Sequence, residues 1–385
     1  MTRRLICSAV TALALVGCGG SLATGSNENG RGEPSGLSDA GLAGAPDSAG
    51  ADSGRAGVLT VHGAPLSHAS TIAADESDVY WVTEPGTVLR QSKLGGAVST
   101  VATDRCGANR IALDDAYVYF SAGWSSSDCP GTVSRVPKVG GPVTRVTSQF
   151  TFPDGGGFVL DDESVYFVGM PADASGNGPS TAAVYAAPKS GGTAVVVAAP
   201  AATGAPAVDG ENVYWLAPQG LPPDPTTAVP VSIMQTPRHG GANRMLATLT
   251  RNITALVFFD DRVYWVASGR HGVEYLCIDC GAPAQVQSLG PGESSPKALV
   301  TMSSGKLISD AVVDSGGLWL TLEGTRSGQG IDYPPNDDHT GALIRVPTGG
   351  AQESVATDLP FVSDLAVDRD HVFATQDTSP LSLAK

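Results

Sequence analysis

The hydrophobic pattern of this chain is dominated by one short motif, in which an aliphatic residue precedes an aromatic residue and a further apolar residue. Val79-Tyr80-Trp81 is the first copy, and the motif occurs seven times at intervals of about 40–55 residues. The central residues of the copies are Tyr80, Tyr119, Tyr166, Tyr214, Tyr264, Trp319 and Phe373. Aromatic and β-branched runs predict strands, and a period of this length predicts a repeated four-stranded unit.

Turn residues divide each unit in the same way. In the second unit the pattern predicts strands at 111–113, 117–120, 131–137 and 143–146, with Asp-Asp-Ala and Lys-Val-Gly-Gly turns between them. An Asp stands five residues before the central aromatic in most units, and we interpret it as the cap of its own tight turn rather than a metal ligand. These residues are Asp75, Asp114, Asp161, Asp209, Asp314 and Asp368.

The sequence therefore predicts an all-β fold, a seven-bladed β-propeller of four-stranded blades over residues 58–385. The last unit ends after a segment that matches a third strand, and 58–61 resembles the fourth-strand run 98–101. We expect this N-terminal strand to close the last blade and remove an open sheet edge. Six blades is the alternative, if the seventh unit is degenerate or packs outside the ring.

The N-terminal part of the chain has a different composition. Arg3 and Arg4 precede an apolar run at 5–16 that is short for a membrane span, so 1–17 is predicted to be a signal peptide. Residues 18–57 are rich in Gly, Ser, Ala and Asp, which predicts a disordered tether. Leu15-Val16-Gly17-Cys18 resembles a bacterial lipobox, which implies that Cys18 is lipidated; an ordinary signal peptide with an incidental Cys is the alternative.

Charge narrows the range of partners. The net charge is −15, and loss of Arg3 and Arg4 with the signal would make it more negative. An acidic surface argues against nucleic acid and anionic headgroups as partners, so membrane attachment is predicted only through the N-terminal lipid. The resemblance to lipobox signals, with Gly19 after the Cys, implies an outer-membrane anchor that faces the periplasm or the cell surface.

Four cysteines remain after Cys7 and Cys18 are set aside. Cys106 and Cys129 fall in connections on the same face of the predicted second blade, which favours a disulfide between them. Cys277 and Cys280 are interpreted as replacing a strand-joining turn in the fifth unit, where a small structural disulfide is favoured over a redox pair.

Long inserts fall on one face of the predicted propeller, at 121–130, 169–181, 217–230, 290–309 and 323–340. Loops of this length in a compact repeat are typical of binding surfaces, although tolerated surface drift is the alternative.

Two groups of polar residues lie on that face. Arg110, Asp310 and Asp364 are predicted at the mouth of the central channel, where they either meet a polar ligand or form a mutual ion pair. The insert at 323–340 contains Tyr333, Asp337, Asp338 and His339, which we interpret as a recognition loop. It lacks the ligand spacing of an EF-hand, so no metal site is assigned.

Tyr80-Trp81-Val82-Thr83 resembles the repeats of YWTD-type and TolB-like propellers, and the Pro-Lys-x-Gly-Gly turns at 137–141 and 188–192 are similar to those of bacterial lipoproteins in that group. The resemblance covers most of 58–385. It implies a propeller that binds proteins or peptidoglycan-associated partners, although some propellers of similar shape are lyases or lactonases.

No catalytic motif is present: the sequence has no G-x-S-x-G, H-E-x-x-H or P-loop pattern, and its six His form no recognisable dyad. We therefore expect a non-catalytic module, without cofactor or metal, that binds a protein or an envelope polymer through its loop-bearing face as a monomer. A propeller lyase or hydrolase with its active site at the channel mouth is the alternative.

Overall fold

The structure is a computed structural model that describes most residues between 58 and 384. They are 58–60, 69–83, 86–126, 129–152, 157–171, 181–220, 229–249, 253–267, 271–273, 276–278, 283–302, 307–314, 316–323, 341–347, 352–359, 362–376 and 380–384. The predicted signal peptide, tether and Cys18 lie outside the described residues. No described helix has the length and apolar character of a membrane span.

The described regular elements are β-strands. In chain order, β1 to β10 are Val58–Thr60, Ala69–Ala74, Asp78–Thr83, Thr87–Ser92, Ser99–Thr103, Ala108–Leu113, Tyr117–Ser126, Cys129–Pro137, Thr144–Thr151 and Phe158–Leu160. Strands β11 to β20 are Ser164–Pro171, Ala183–Pro188, Val195–Ala198, Thr203–Val208, Asn212–Pro218, Val231–Pro237, Arg244–Leu249, Ile253–Phe259, Arg262–Ala267 and His271–Val273. Strands β21 to β30 are Leu276–Ile278, Gln285–Leu289, Lys297–Thr301, Leu307–Asp314, Gly317–Glu323, Gly341–Pro347, Glu353–Leu359, Val362–Val367, His371–Gln376 and Pro380–Ala384.

These strands form four-stranded antiparallel groups, which we call repeats and number along the chain. Repeats 1 to 4 are β2–β5, β6–β9, β10–β13 and β14–β17; repeat 5 is β18, β19, β22 and β23; repeat 6 is β24–β27; repeat 7 is β28–β30 with β1. Repeats 2 and 3 join into one eight-stranded sheet because the end of β11 also pairs with β9. The predicted pairing of the two ends of the domain is present, since β1 lies antiparallel to β30 with Leu59 opposite Ser382.

The strand period of two explains why the repeated motif has two large residues in a row. In β7, Tyr119 packs into the cluster shared with repeat 3, whereas Phe120 packs into the cluster shared with repeat 1. Successive side chains of a strand point to opposite faces, and each repeat has a neighbour on both faces. Both side chains are fully buried. Burial of each aromatic ring contributes on the order of 2–3 kcal/mol, so the motif stabilises two junctions at once.

The repeats follow one another in a closed cycle. Among the described residues, seven apolar clusters lie between neighbouring repeats, and the last of them joins repeat 7 to repeat 1 through Phe373 and Trp81. The first strands of the repeats also contact each other in order, from β2 to β28, and β28 returns to β2. These first strands therefore line the centre of the array.

The connections define two faces. Turns between the first and second strands lie beside turns between the third and fourth strands, as in the bond from the Lys138 N–H to the Ala116 carbonyl. We call this side the turn face, and the side with the other connections the loop face. The disulfide between Cys106 and Cys129 is on the loop face, with a Cα–Cα distance of 5.3 Å, and the predicted pairing is confirmed.

Three predicted connections were wrong. Most of 121–130 is strand, because β7 continues to Ser126 and β8 begins at Cys129. The segment 290–309 is not one loop, since it contains β23 and the start of β24. Cys277 does not replace a strand-joining turn: it lies in β21, which pairs with β20 as a hairpin inserted before β22. Residues 285–289, Gln-Val-Gln-Ser-Leu, form the third strand and are not followed by a Pro-Lys-x-Gly-Gly turn. Cys280 lies outside the described residues.

Candidate functional site

The first strand carries a β-bulge at its loop-face end in every described repeat except repeat 3, where β10 pairs with β11 in unbroken register. The register between first and second strands shifts between Ala108 and Arg110 in repeat 2, and between Ile308 and Asp310 in repeat 6. A bulge turns one side chain out of the regular alternation. Arg110, Asp310 and Asp364 all lie at this point of their repeats, so the bulges bring together the residues that the sequence predicts at the channel mouth.

Asp364 joins three repeats. Its Oδ2 accepts the Ile72 N–H of repeat 1 at 2.8 Å, and its Oδ1 lies 3.0 Å from Nη1 of Arg110 in repeat 2. Its own N–H donates to Oγ1 of Thr375 at 3.0 Å. Asp364 is only 6% exposed, so these partners replace the water that the carboxylate loses.

Asp310 makes the equivalent contact one repeat earlier. Its Oδ2 accepts the Leu365 N–H of repeat 7 at 2.9 Å, and its N–H donates to Oγ1 of Thr321 at 3.0 Å. Burial and the nearby Asp364 carboxylate raise the pKa of Asp310 from 3.8 to about 7, although Arg110 opposes them. Two carboxylates that lie close together repel each other when both are ionised, so one of them favours its protonated form.

Arg110 is the accessible member of this group, which we call the mouth cluster (Arg110, Asp310 and Asp364). Its side chain is 34% exposed, against 9% for that of Asp364. The ion pair that the sequence left as one alternative is therefore present. Small residues occupy the matching positions of repeats 3 and 4, where a Cβ added to Gly157 would come within 2.7 Å of the Ala205 Cβ. The charges are thus confined to one side of the mouth.

The other predicted loop-face residues, Tyr333, Asp337, Asp338 and His339, lie outside the described residues. Within the described part of the chain, no three His, Cys, Asp or Glu side chains are placed to hold a metal ion.

The turn face is built on the repeated Asp, and its predicted role as a turn cap is confirmed. In repeat 2, Oδ1 of Asp114 accepts the N–H groups of Ala116 and Tyr117 at 3.0 and 2.8 Å. The same pair of bonds is made by Asp75, Asp161, Asp209 and Asp368. The other oxygen, Oδ2 of Asp114, accepts the hydroxyl of Tyr119 at 2.8 Å. One carboxylate therefore fixes both the turn and the central aromatic.

Sequence reasoning missed a second role of this Asp. Its Oδ2 also forms an ion pair with a Lys or Arg of the next repeat, which stands two residues before the Gly-Gly of the turn between the third and fourth strands. The pairs are Asp368 with Lys93, Asp75 with Lys138, Asp114 with Lys189 and Asp161 with Arg238. The Lys or Arg of each Lys/Arg-x-Gly-Gly turn was the available signal. Burial raises the pKa of Asp75, but Lys138 and the turn N–H groups outweigh it and lower the pKa to about 2.

No family model matches this chain, and no curated protein matches it. Solved structures do. Virginiamycin B lyase from Staphylococcus aureus is 8% identical with a TM-score of 0.53, over 86% of this chain and 98% of that one. YCF48 from Cyanidioschyzon merolae is 11% identical with a TM-score of 0.55, over 85% and 98%. A prolyl endopeptidase is 14% identical with a TM-score of 0.53, over 83% of this chain and 51% of its own. These proteins are β-propellers, and at such identities the likeness shows a propeller fold alone.

Proposed function

We propose that this protein is an envelope-anchored lipoprotein whose seven-bladed propeller acts as a non-catalytic binding or scaffold module through its loop face. Its partner is a protein or an envelope polymer. The closed cycle of described repeats supports seven blades, because every repeat has a four-stranded group and an apolar cluster on each side. Antiparallel strands with the β1–β30 pairing would leave no open end in such a ring.

The proposal rests on one observation, that the two carboxylates of the mouth cluster bond backbone N–H groups of a neighbouring repeat. Asp364 and Asp310 bond the backbone N–H groups of the next first strand, and Arg110 pairs with Asp364. A carboxylate held in this way is committed to joining repeats, whereas a general acid or base must reach a substrate proton. The mouth cluster is therefore suited to fix the strand ends at the loop face, from which the binding loops extend.

The choice of partner follows from surface charge and from the position of the longest inserts. The chain carries a net charge of −15, which disfavours nucleic acid. A propeller of similar fold, YCF48, has been solved bound to D1 peptide, so this architecture supports peptide recognition in at least one protein. We expect the loop face here to bind its partner with the residues around Tyr333 and to work as a monomer.

A tagged chain provides the test of the binding proposal. The tag is placed within 19–57, the protein is crosslinked in cells, and captured species are compared with those of a variant in which 326–338 is shortened. A matched control replaces the exposed turn-face Leu94 with Ser. Loss of a captured partner only on shortening supports the loop face. Retention of the same set by the shortened protein, with folding intact, contradicts it.

Cys18→Ser tests the proposed anchor separately. The parent is expected to incorporate radiolabelled palmitate and to fractionate with the outer membrane, whereas the variant lacks the thiol that carries the lipid and should incorporate no label. Equal label in the parent and the variant would contradict an anchor on Cys18.

A propeller lyase or hydrolase is the second candidate, and the raised pKa of Asp310 favours it, since a carboxyl group that titrates near neutrality suits proton transfer. In that case Asp310→Asn would abolish turnover of a substrate bound at the mouth while leaving binding intact. If the protein is a binding module, Asp310→Asn captures the same partner as the parent, and no catalytic turnover is lost.

A further inference from the structure

The turn face has an open cleft of about 540 Å³ at the junction of repeats 2 and 3, on the side of the array opposite the loop face. Leu113 and Leu160 supply apolar surface, and most of the other lining side chains are charged or phenolic. The charged side chains among them include Asp115, Arg135 and Asp162. The volume is in the range of small-molecule sites.

Some of these groups are fully engaged within the fold. Asp114 caps its turn and bonds both Tyr119 and Lys189. Asp161 caps the next turn and bonds Tyr166 and Arg238. These side chains form the walls of the cleft and have little capacity left for a ligand.

The preceding junction shows how the same position is closed elsewhere. Arg90 of repeat 1 occupies the place that Arg135 has in repeat 2, opposite the central Tyr of its repeat. Nη1 of Arg90 crosses to repeat 2 and donates to the Lys138 carbonyl at 2.9 Å. Arg135 instead lies over the ring of Tyr117, with its guanidinium carbon 4.4 Å from the ring centroid. The junction of repeats 2 and 3 is therefore left open beside a guanidinium.

Three charged groups in the cleft have capacity for a ligand. Asp115 and Asp162 are exposed, and neither forms a hydrogen bond or ion pair with a described residue. Arg135 also lines the cleft, and its guanidinium, which interacts with the Tyr119 hydroxyl, has five N–H donors. A carboxylate only accepts hydrogen bonds and a guanidinium only donates them, so a ligand must offer donors and acceptors together.

We propose that this cleft binds a saccharide, as a second site that is independent of the loop face. Adjacent hydroxyls of a hexose can donate to the carboxylate of Asp115 or Asp162 and accept from the guanidinium of Arg135. Because the sugar is neutral, it satisfies both kinds of group without adding a charge to the cleft. The C–H face of the ring packs on Leu113 and Leu160, and a site of this volume holds two or three sugar units. A basic peptide would satisfy the carboxylates but would repel Arg135 and Lys189.

The test measures binding of two neutral probes, maltotriose and triacetylchitotriose, to the folded protein by saturation-transfer NMR and titration calorimetry. The cleft variant is Arg135→Gln with Asp115→Asn. The matched control is Arg90→Gln with Glu76→Gln, which makes the same charge changes at the equivalent positions of the preceding junction, where Arg90 is already bonded. Thermal unfolding of both variants verifies that each is folded.

We expect saturable binding of at least one probe, weakened about tenfold or more in the cleft variant and less than about twofold in the control, because truncation leaves the ligand hydroxyls unpaired. The proposal is overturned if neither probe saturates by about 20 mM, or if both variants bind as the parent does. Preferential binding of a tetralysine peptide, lost in the cleft variant, would overturn the saccharide assignment in favour of a basic peptide.

Discussion

A single aspartate explains much of how one repeat is joined to the next. Asp114 was predictable as a turn cap, because its bonds run to residues two and three positions along the chain. Its ion pair with Lys189 was not, because that partner belongs to another repeat and their approach depends on how two sheets pack. Local sequence patterns report the first kind of contact and not the second.

Asp114 and its neighbour Asp115 provide a matched pair of substitutions. Asp114→Ala removes two turn bonds, the Tyr119 bond and the Lys189 pair, so we expect it to lower the free energy of unfolding by about 2–3 kcal/mol. Asp115→Ala, at an exposed and unbonded position, should change it by less than about 0.5 kcal/mol. Urea unfolding followed by tryptophan fluorescence measures both; equal effects would contradict the assigned role of Asp114.

Asp310 predicts a dependence of stability on pH. Its pKa is raised, so the fold prefers the protonated form. The stability that this preference supplies is fully present below the unfolded pKa of 3.8 and is lost as pH rises toward about 7. Asp310→Asn keeps an acceptor for the Leu365 N–H but does not ionise. We expect the variant to equal the parent at about pH 4 and to exceed it by roughly 1–2 kcal/mol at about pH 8.

Thermal or urea unfolding across that pH range provides the measurement for Asp310, with the exposed Asp115→Asn as the control that should show no such trend. If the variant is less stable than the parent at high pH, the contacts of the ionised Asp310 carboxylate stabilise the fold by more than the burial of its charge destabilises it.

At the scale of elements, strand identity was predicted more reliably than strand ends. The predicted runs of repeat 2 correspond to β6–β9, but every one of them is longer in the structure. Pairing with a neighbour extends a strand into residues such as Ser125 and Ser126 that have little strand preference of their own. The hairpin of β20 and β21 was missed because an inserted pair breaks the spacing from which the third strand of repeat 5 was read.

The disulfide carries an element-scale prediction, because it ties the connection before β6 to the start of β8. Cross-linking residues 23 positions apart restricts the unfolded chain, so Cys106→Ser with Cys129→Ser should lower the free energy of unfolding by about 3 kcal/mol. Reductant should bring the parent's urea midpoint close to that of the double variant. A double variant with an unchanged midpoint would contradict a stabilising role for this bond.

At the scale of the whole molecule, two sequence features predicted the propeller and the pairing of its ends. They are the motif that occurs seven times and the match of the N-terminal segment to a fourth strand. The mouth cluster was anticipated only as a set of positions. The β-bulges that orient it, and the bonds from Asp310 and Asp364 to the next first strand, depend on the closed geometry. Function was the least predictable, since a propeller fold alone defines no reaction or partner.

Pairing of β1 with β30 predicts that the N-terminal strand holds the array closed. Leu59→Pro with Thr60→Pro removes two successive backbone donors. One of them must face β30, because the donors of a strand alternate between its two sides, so we expect a loss of about 2–3 kcal/mol in the free energy of unfolding. Gly50→Pro, within the predicted tether, is the control and should have no effect. Equal stability of the two variants in thermal unfolding would contradict closure through β1.

Site-specific photocrosslinking in cells tests the central claim, that the loop face is where this protein binds its partner. A photoreactive amino acid is placed at position 333 in the loop insert or at position 94, where Leu94 is 99% exposed on the turn face. The account predicts a defined crosslinked species from position 333 and none of the same mass from position 94. A partner captured from position 94 alone would contradict it, and would assign binding to the opposite face of the propeller.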